Sequence, residues 1–194
     1  DAQESRGLGD VYKRQVFTYS LLLISLAKIN PLIFFTKMRE AIIFAFSTSS
    51  SSATMPVTLK TVEEKLGVDK SVSSFCIPLG TTINMDGTAI MQGVATVFIA
   101  QVYQVDLSMM EYLMVIITAT LASIGTAGVP GVGLIMLAMV LQQVGLPVEG
   151  IALIIGVDRL LDMLRTAVNV SGDATISCIV ANSENQLSRK DFIS

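Results

Sequence analysis

The 194-residue chain contains no histidine, which excludes histidine-based catalytic triads and histidine metal centres before any motif is considered. It has two cysteines, Cys76 and Cys178, 102 positions apart in apolar surroundings. They read as buried small hydrophobes rather than as a disulfide or a nucleophile. Charge is scarce as well: 15% of residues are charged, against about 25% in soluble domains. From Ser71 to Ser183 the charged residues are only Asp86, Asp106, Glu111, Glu149, Asp158, Arg159, Asp162, Arg165 and Asp173. The formal charge of −3 comes with no basic patch, so nucleic acid is excluded as a partner. The opening residues show no signal-peptide pattern. Few apolar runs reach the roughly 20 residues that a membrane-spanning helix needs.

What is present is apolar. Hydrophobic residues make up 52% of the chain and the mean hydropathy is +0.64, a composition that fits an integral membrane protein. The first fifteen residues, DAQESRGLGDVYKRQ, are polar and unlike everything after them. They read as a foreign leader or a misassembled start and are set aside from the fold. The run Val16 to Ala27 is too short to span alone and reads as the end of a truncated helix, so the chain is expected to be part of a longer protein.

The remaining apolar segments are short and come in pairs. Pro31–Thr48 and Ala53–Leu66 flank the serine run 49–52, Phe75–Thr82 and Thr88–Tyr103 flank INMDG, and Tyr112–Ile124 and Val132–Val144 flank GTAGVPG. Short apolar halves around a small-residue tip predict re-entrant hairpins, and an apolar helix with a polar middle predicts an unwound span. Lysine and arginine flank the first hairpin and recur in the tail after Ala181, whereas Gln104–Glu111 and Gly145–Gly150 have neither. By the positive-inside rule the first hairpin enters from the cytoplasm and the second from outside. The order hairpin then broken span therefore occurs twice in opposite orientation, with Asn84–Thr88 in one unit matched by Asn169–Asp173 in the other. An inverted repeat of this kind binds its substrate near the midplane.

The densest chemistry lies between Asp158 and Asp173. At helical spacing Asp158, Asp162, Arg165, Thr166, Asn169 and Asp173 share one arc of roughly 100°, and leucine, alanine and valine fill the other side. Inside a membrane such a stripe faces a polar cavity and binds something.

SSSSATMP, NMDGT, SIGTAGVPG and DMLRTAVNVSGD occur in this order and together resemble the glutamate/aspartate:cation symporter family, the dicarboxylate/amino acid:cation symporters. The resemblance runs from about Val16 to Glu184 and covers that family's C-terminal half. It implies an all-α membrane protein with an inverted repeat of re-entrant hairpin plus broken transmembrane helix. Residues 16–28 would end the family's sixth transmembrane helix, and 29–184 would form the core of its transport domain. That core would divide into hairpin 1 at about 31–67, the seventh helix at about 70–103, hairpin 2 at about 110–145 and the eighth helix at about 148–181. Residues 185–194 would be a cytoplasmic tail. The expected function is symport of acidic amino acids, glutamate or aspartate, with Na+ or H+, with C4-dicarboxylates as the alternative substrate. No cofactor beyond the coupling ion is implied. The full-length protein would be a homotrimer, multi-pass in the plasma (inner) membrane and surrounded by lipid.

The same resemblance implies residue roles. Arg165 would grip the substrate's side-chain carboxylate, a task suited to a permanently charged planar fork. Asp162 would accept from the α-ammonium, and Thr166, Asn169, Thr88, Val129 and Gly133 would complete the substrate site. Ser50 and Ser51, at a serine tip that is otherwise a low-complexity linker, would place helix N-terminal N–H groups at the α-carboxylate. Three sets of hard oxygen ligands are implied for Na+: Asp173 with Asn169, Asn84 and the Gly80 carbonyl; Asp86 with Asn84; and backbone oxygens of Thr82, Ser123, Ile124 and Thr126. Met85 would lie between cation and substrate. Gly125, Gly128, Pro130 and Gly131 would form a gate. Prokaryotic members often carry arginine where Ser49 stands, and animal members carry it at the position of Met163; this chain has neither, and Arg159 is the nearest substitute.

Two other classes fit parts of the pattern. A channel is disfavoured because polar tips that end at mid-membrane form a binding site rather than a pore. A membrane-embedded enzyme would draw on Asp86, Asp162 and Asp173, but no nucleophile motif accompanies them.

Overall fold

The computed structural model describes residues 2–124 and 126–193, the side chains of 2–11, 191 and 193 excepted. All of its regular elements are helical, and the one extended pairing among the described residues is an antiparallel bridge between Val68 and Leu187. Helix α1 (Ala2–Leu22) crosses the compositional boundary at residue 15 without a break and ends in a π turn, Leu23–Ala27. Lys28, at φ 55°, ends that turn. The chain then bends by 118° into α2.

Two units of similar plan follow. In the first, α2 (Pro31–Thr48) and α3 (Ser51–Glu64) pack together, and α4 (Lys70–Ile83) and α5 (Asp86–Val102) follow with a break at Asn84–Met85. In the second, α6 (Met109–Ser123) packs on α7 (Val132–Gln143), and a 3-10 turn (Val148–Ile151) leads through the single turn α8 (Ala152–Ile155) into α9 (Asp158–Ser183). A short α10 (Arg189–Ile193) closes the chain.

Local chemistry fixes the helix starts. Asn30 accepts the Leu32 N–H at 2.8 Å, with Pro31 at the first helical position where its missing N–H is no loss. Asp69 caps α4 through Ser71, whose hydroxyl and N–H hold its carboxyl below the usual carboxylate range. Ser108 and Glu111 form a reciprocal capping box at the start of α6.

Helix α9 is the hub. It packs against α1, α2, α3, α4 and α5, and two apolar clusters meet along it. Leu23, Phe34, Met38, Val62, Ile77 and Ala174 belong to the first; Met91, Ile99, Val115, Leu137, Leu141 and Leu161 belong to the second. Between them α9 buries a polar layer of Asp162, Arg165, Thr166, Asn169 and Asp173.

The outer face is strongly apolar. Leu32 is 78% exposed, Met109 76%, Phe17 71% and Ile135 68%, the reverse of what a water-facing surface tolerates. Among the described residues no single helix is long and apolar enough to cross a membrane. The bent pair 12–27 and Pro31–Thr48 passes that test together.

The break expected in the second unit at Asn169–Asp173 is corrected. Helix α9 runs through it unbroken from Asp158 to Ser183, and the interruption in this unit falls at Gly156–Val157. No proline lies in the stretch, so every residue keeps an N–H for the helix ladder. Ser171 returns its hydroxyl to the Ala167 carbonyl at 2.8 Å instead of competing for the backbone from outside. Gly172 is held for another reason: a Cβ there would come within 2.6 Å of the Tyr19 hydroxyl and 2.7 Å of the Asn84 amide nitrogen.

Candidate functional site

The arc expected on α9 faces inward. Asp162, Arg165, Thr166, Asn169 and Asp173 are all buried, whereas Leu160 and Leu164 on the other side are exposed. Asp158 is only half-buried and Arg159 is exposed, so Arg159 does not stand in for the missing arginine at Ser49 or Met163. Asp162 finds its charge partner one turn away in Arg165, and its other oxygen accepts the Gly131 N–H at 3.0 Å. Gly131, at φ +82°, starts α7 in the left-handed region, which a residue with a Cβ seldom adopts.

Arg165 is more deeply placed than its partnering suggests. Its side chain is 5% exposed, one guanidinium nitrogen binds Asp162, and Nη1 has no partner among the described residues. The guanidinium lies directly over Gly133, where any side chain would overlap it. Gly87 is equally constrained: a Cβ would fall 2.6 Å from the Arg165 carbonyl oxygen. The Gly87 N–H donates to Asn169 Oδ1 at 2.8 Å, and the other end of the Asn169 amide donates to Met85 Sδ (3.2 Å) and Thr88 Oγ1 (3.3 Å). The break between α4 and α5 is thus docked on the middle of α9.

The two loop tips meet over this layer. Helix α2 ends on Ser49 at φ 52°, and Ser50 caps α3 by accepting the Ala53 N–H at 3.1 Å. The Ser50 hydroxyl donates to the Gly128 carbonyl at 2.7 Å, and the Ser52 N–H donates to the same oxygen at 3.2 Å. A cavity of about 10 Å³ remains beneath, bordered by Ser49, Ser51, Met85, Thr88, Thr126, Gly128, Val129 and the polar face of α9. Its volume admits about one water.

Of the residues expected at a substrate site, Ser51, Thr88, Val129, Asp162, Arg165, Thr166 and Asn169 line this cavity. Ser50 works at the seam between the tips, and Gly133 lies behind the guanidinium. Ser49, set aside by the sequence reading as a departure, does line the cavity, and its buried Oγ has no partner among the described residues. Among the gate residues, Gly128 and Gly131 make the contacts just given, Pro130 is exposed, and Gly125 lies outside the described residues.

The cation sets divide. Asn84 Nδ2 donates to Asp173 Oδ1 at 2.9 Å, and Asp173 packs against Gly80, where a Cβ would come within 2.5 Å of that oxygen. The Gly80 carbonyl already accepts the Asn84 N–H at 2.8 Å. Asp86 borders an open space of about 450 Å³ together with Met85, Ser123 and Ile124. Of the third expected set, Ser123 and Ile124 border the same open space as Asp86, Thr126 lines the small cavity, and Thr82 is exposed. Thr126 is tied to the end of α6 by its hydroxyl to the Ala122 carbonyl (2.6 Å) and its N–H to the Ser123 carbonyl (3.2 Å).

Electrostatically the layer is out of balance. Counted formally as ionised, Asp86, Asp162 and Asp173 carry three negative charges against the single positive charge of Arg165, a formal −2 in a mostly buried region. A carboxylate removed from water needs a cation, a proton or several hydrogen bonds. Asp173, 2% exposed, has the Asn84 amide and no cationic side chain among the described residues.

Sequence reasoning missed Tyr19. This buried tyrosine on α1 donates its hydroxyl to Asp86 Oδ2 at 2.9 Å, and the Val168 carbonyl lies 3.4 Å from the same oxygen. Gln15 Nε2 also reaches Asp86 Oδ2, at 3.1 Å. A lone tyrosine in an apolar run carries no periodic signal that could have marked it.

Residues 14–183 match the profile of the sodium:dicarboxylate symporter family. The chain is similar to excitatory amino acid transporter 1 of Rattus norvegicus, at 47% identity over 177 residues, covering 91% of this chain and 33% of the relative. It is 50% identical to an excitatory amino acid transporter of Caenorhabditis elegans over 160 residues, 82% of this chain and 32% of the relative. To excitatory amino acid transporter 3 of Oryctolagus cuniculus it is 51% identical over 163 residues, 84% and 30% respectively. The chain therefore spans about a third of the length of the relatives it matches. With the family profile over most of its length, the chain belongs to the sodium:dicarboxylate symporter family, whose members are integral membrane transporters and not enzymes.

Proposed function

We propose that the protein carrying this chain is a secondary active symporter that moves glutamate or aspartate together with Na+ by alternating access. The observation that carries the reading is the buried Arg165 with Nη1 unpartnered at the edge of a cavity closed by two loop tips. An unmet buried N–H costs about 1–3 kcal/mol, and a carboxylate is the group that answers a guanidinium fork in two-point geometry. The substrate's side-chain carboxylate takes that position, its α-ammonium goes to Asp162, and its α-carboxylate goes to the N-terminus of α3 at Ser50 and Ser51.

The α2–α3 and α6–α7 pairs act as re-entrant hairpins entering from opposite sides, and the whole forms the transport domain of a homotrimer embedded in lipid. The excess negative charge of the layer is the reason for a coupled cation. Na+ at Asp173 with Asn84, and at Asp86, neutralises the carboxylates that otherwise lack a cationic partner. Coupling follows because Met85 borders both the small cavity and the space at Asp86 and is held by Asn169, so the state that binds the ion well is the state that shapes the substrate pocket.

The family's name favours a second reading, a C4-dicarboxylate as substrate. The two differ at Asp162, which has no α-ammonium to hold in a dicarboxylate carrier. Competition by unlabelled aspartate and serine, measured on the full-length protein and on Arg165→Cys, separates them. Loss of aspartate binding with gain of serine binding supports the amino acid carrier. Loss of aspartate with no gain of serine supports the dicarboxylate carrier. Unchanged aspartate affinity removes Arg165 from the site and defeats both.

A further inference from the structure

We propose that Tyr19 is a ligand of the cation site at Asp86, its phenol oxygen supplying a lone pair to the bound ion. The inference rests on the cation-coupled reading given above and adds a residue from α1, outside the two hairpin units, to the shell. Four observations support it. Tyr19 is 4% exposed, so its hydroxyl has no bulk water to satisfy it. It donates to Asp86 Oδ2 at 2.9 Å. The Val168 carbonyl, 3.4 Å away on α9, is a second acceptor for the same proton. The seat is built for this hydroxyl, because Gly172 leaves the space that any larger residue would fill, 2.6 Å from the phenol oxygen.

A phenol has one proton and two lone pairs. When Asp86 is unneutralised, the proton is best spent on the carboxylate. A cation beside Asp86 removes that demand and repels the O–H proton. The hydroxyl then turns to the Val168 carbonyl and presents a lone pair to the ion, with no bond broken other than a hydrogen bond exchanged. The neutral oxygen suits Na+, which prefers hard donors and needs several of them. The turn also records occupancy on α9 one residue before Asn169, which holds the Gly87 N–H and Met85. Gln15 reaches the same carboxylate through its amide nitrogen, which donates and offers no lone pair to an ion, and it is left out of the shell.

The test uses the full-length protein carrying this segment, purified, with thermal unfolding followed against Na+ and Li+ in a choline background. A ligand that binds only the folded state raises the unfolding temperature by mass action, so no transport is required. Tyr19→Phe keeps the ring in its seat and deletes only the oxygen. The Na+ concentration for half-maximal stabilisation is expected to rise roughly tenfold, the size of one lost neutral contact, and the Na+/Li+ preference to change. An unchanged Na+ midpoint overturns the proposal. A lower midpoint also overturns it, since a phenol that merely competes with the ion for Asp86 would release it when removed. Fluorotyrosine placed at position 19 gives a reading that does not depend on the variant: its 19F signal must move on adding Na+ and stay still in choline. If the wild-type protein shows no Na+ stabilisation at all, the cation-coupled reading itself fails; if the wild type responds and Tyr19→Phe responds identically, only the role of Tyr19 fails.

Discussion

Arg165 and Gly133 sit face to face across α9 and α7, so close that a methyl group on residue 133 would occupy the position of the guanidinium. The one strongly directional cation of the site is therefore positioned by a missing side chain on a different hairpin. Its orientation depends on where α7 is.

Gly133→Ala tests this dependence. The added carbon must displace Arg165 or α7, and overpacking of this kind costs about 1–3 kcal/mol. Aspartate affinity in the full-length protein is expected to fall by roughly tenfold to a hundredfold, while Na+ stabilisation of the substrate-free protein stays near wild type. Isothermal titration of aspartate at saturating Na+ checks the first part and thermal unfolding against Na+ the second. An unchanged aspartate affinity would mean that the guanidinium has room to move.

Asp173→Asn is expected to act in the opposite order. It keeps the shape beside Gly80 and removes the charge, leaving Asn84 facing an amide in place of a carboxylate. The Na+ concentration for half-maximal aspartate binding should rise by at least tenfold, with aspartate affinity recovering at high Na+. Binding titrations at a series of Na+ concentrations measure this. A Na+ dependence equal to wild type would take Asp173 out of the cation site.

Gly87→Ala attacks the joint between α5 and α9 and no ligand contact. A Cβ would press on the Arg165 carbonyl oxygen at 2.6 Å and on Asn169 Oδ1 at 3.1 Å, both parts of a packed helix surface with little freedom to yield. Destabilisation of about 1–3 kcal/mol is expected, read as a fall of several degrees in unfolding temperature. Retention of the wild-type midpoint would show that the α4–α5 break is loosely docked.

Ser50→Ala removes the cap of α3 and the side-chain bond between the tips together. The cap alone is worth about 0.5–2 kcal/mol. The tips should part more often, so a cysteine introduced at Val129 should react faster with a membrane-impermeant maleimide in the Ser50→Ala background than in the Ser50 background. Equal labelling rates would deny the bond a role in closure.

Much of this arrangement was legible in the sequence, for reasons that can be located. The buried face of α9 follows from helical spacing alone, because a stripe of carboxylates and an arginine among leucines has only one inexpensive side to face. The break at Asn84–Met85 is written in a polar interruption inside an apolar run. The supposed break at Asn169–Asp173 used the same cue and failed, because serine and glycine without proline can stay in a helix when neighbours fill the space around them. The seam between Ser50 and Gly128 was out of reach: 78 positions separate the two residues, and no periodicity links one loop tip to another. Tyr19 was missed for a related reason, since its partners Asp86 and Val168 come from other helices.

The seam has a further consequence. Ser50 and Gly128 belong to opposite tips, and the same bond is lost whichever one withdraws. The space beneath, about 10 Å³, is far too small for any amino acid, so on the function proposed above one tip must swing away before the solute enters. Two leaves bolted to each other, rather than each to its own frame, present the same lock from either side of a wall. The direction in which the passage opens is then set by what supports each leaf from behind, and the bolt itself is indifferent to it.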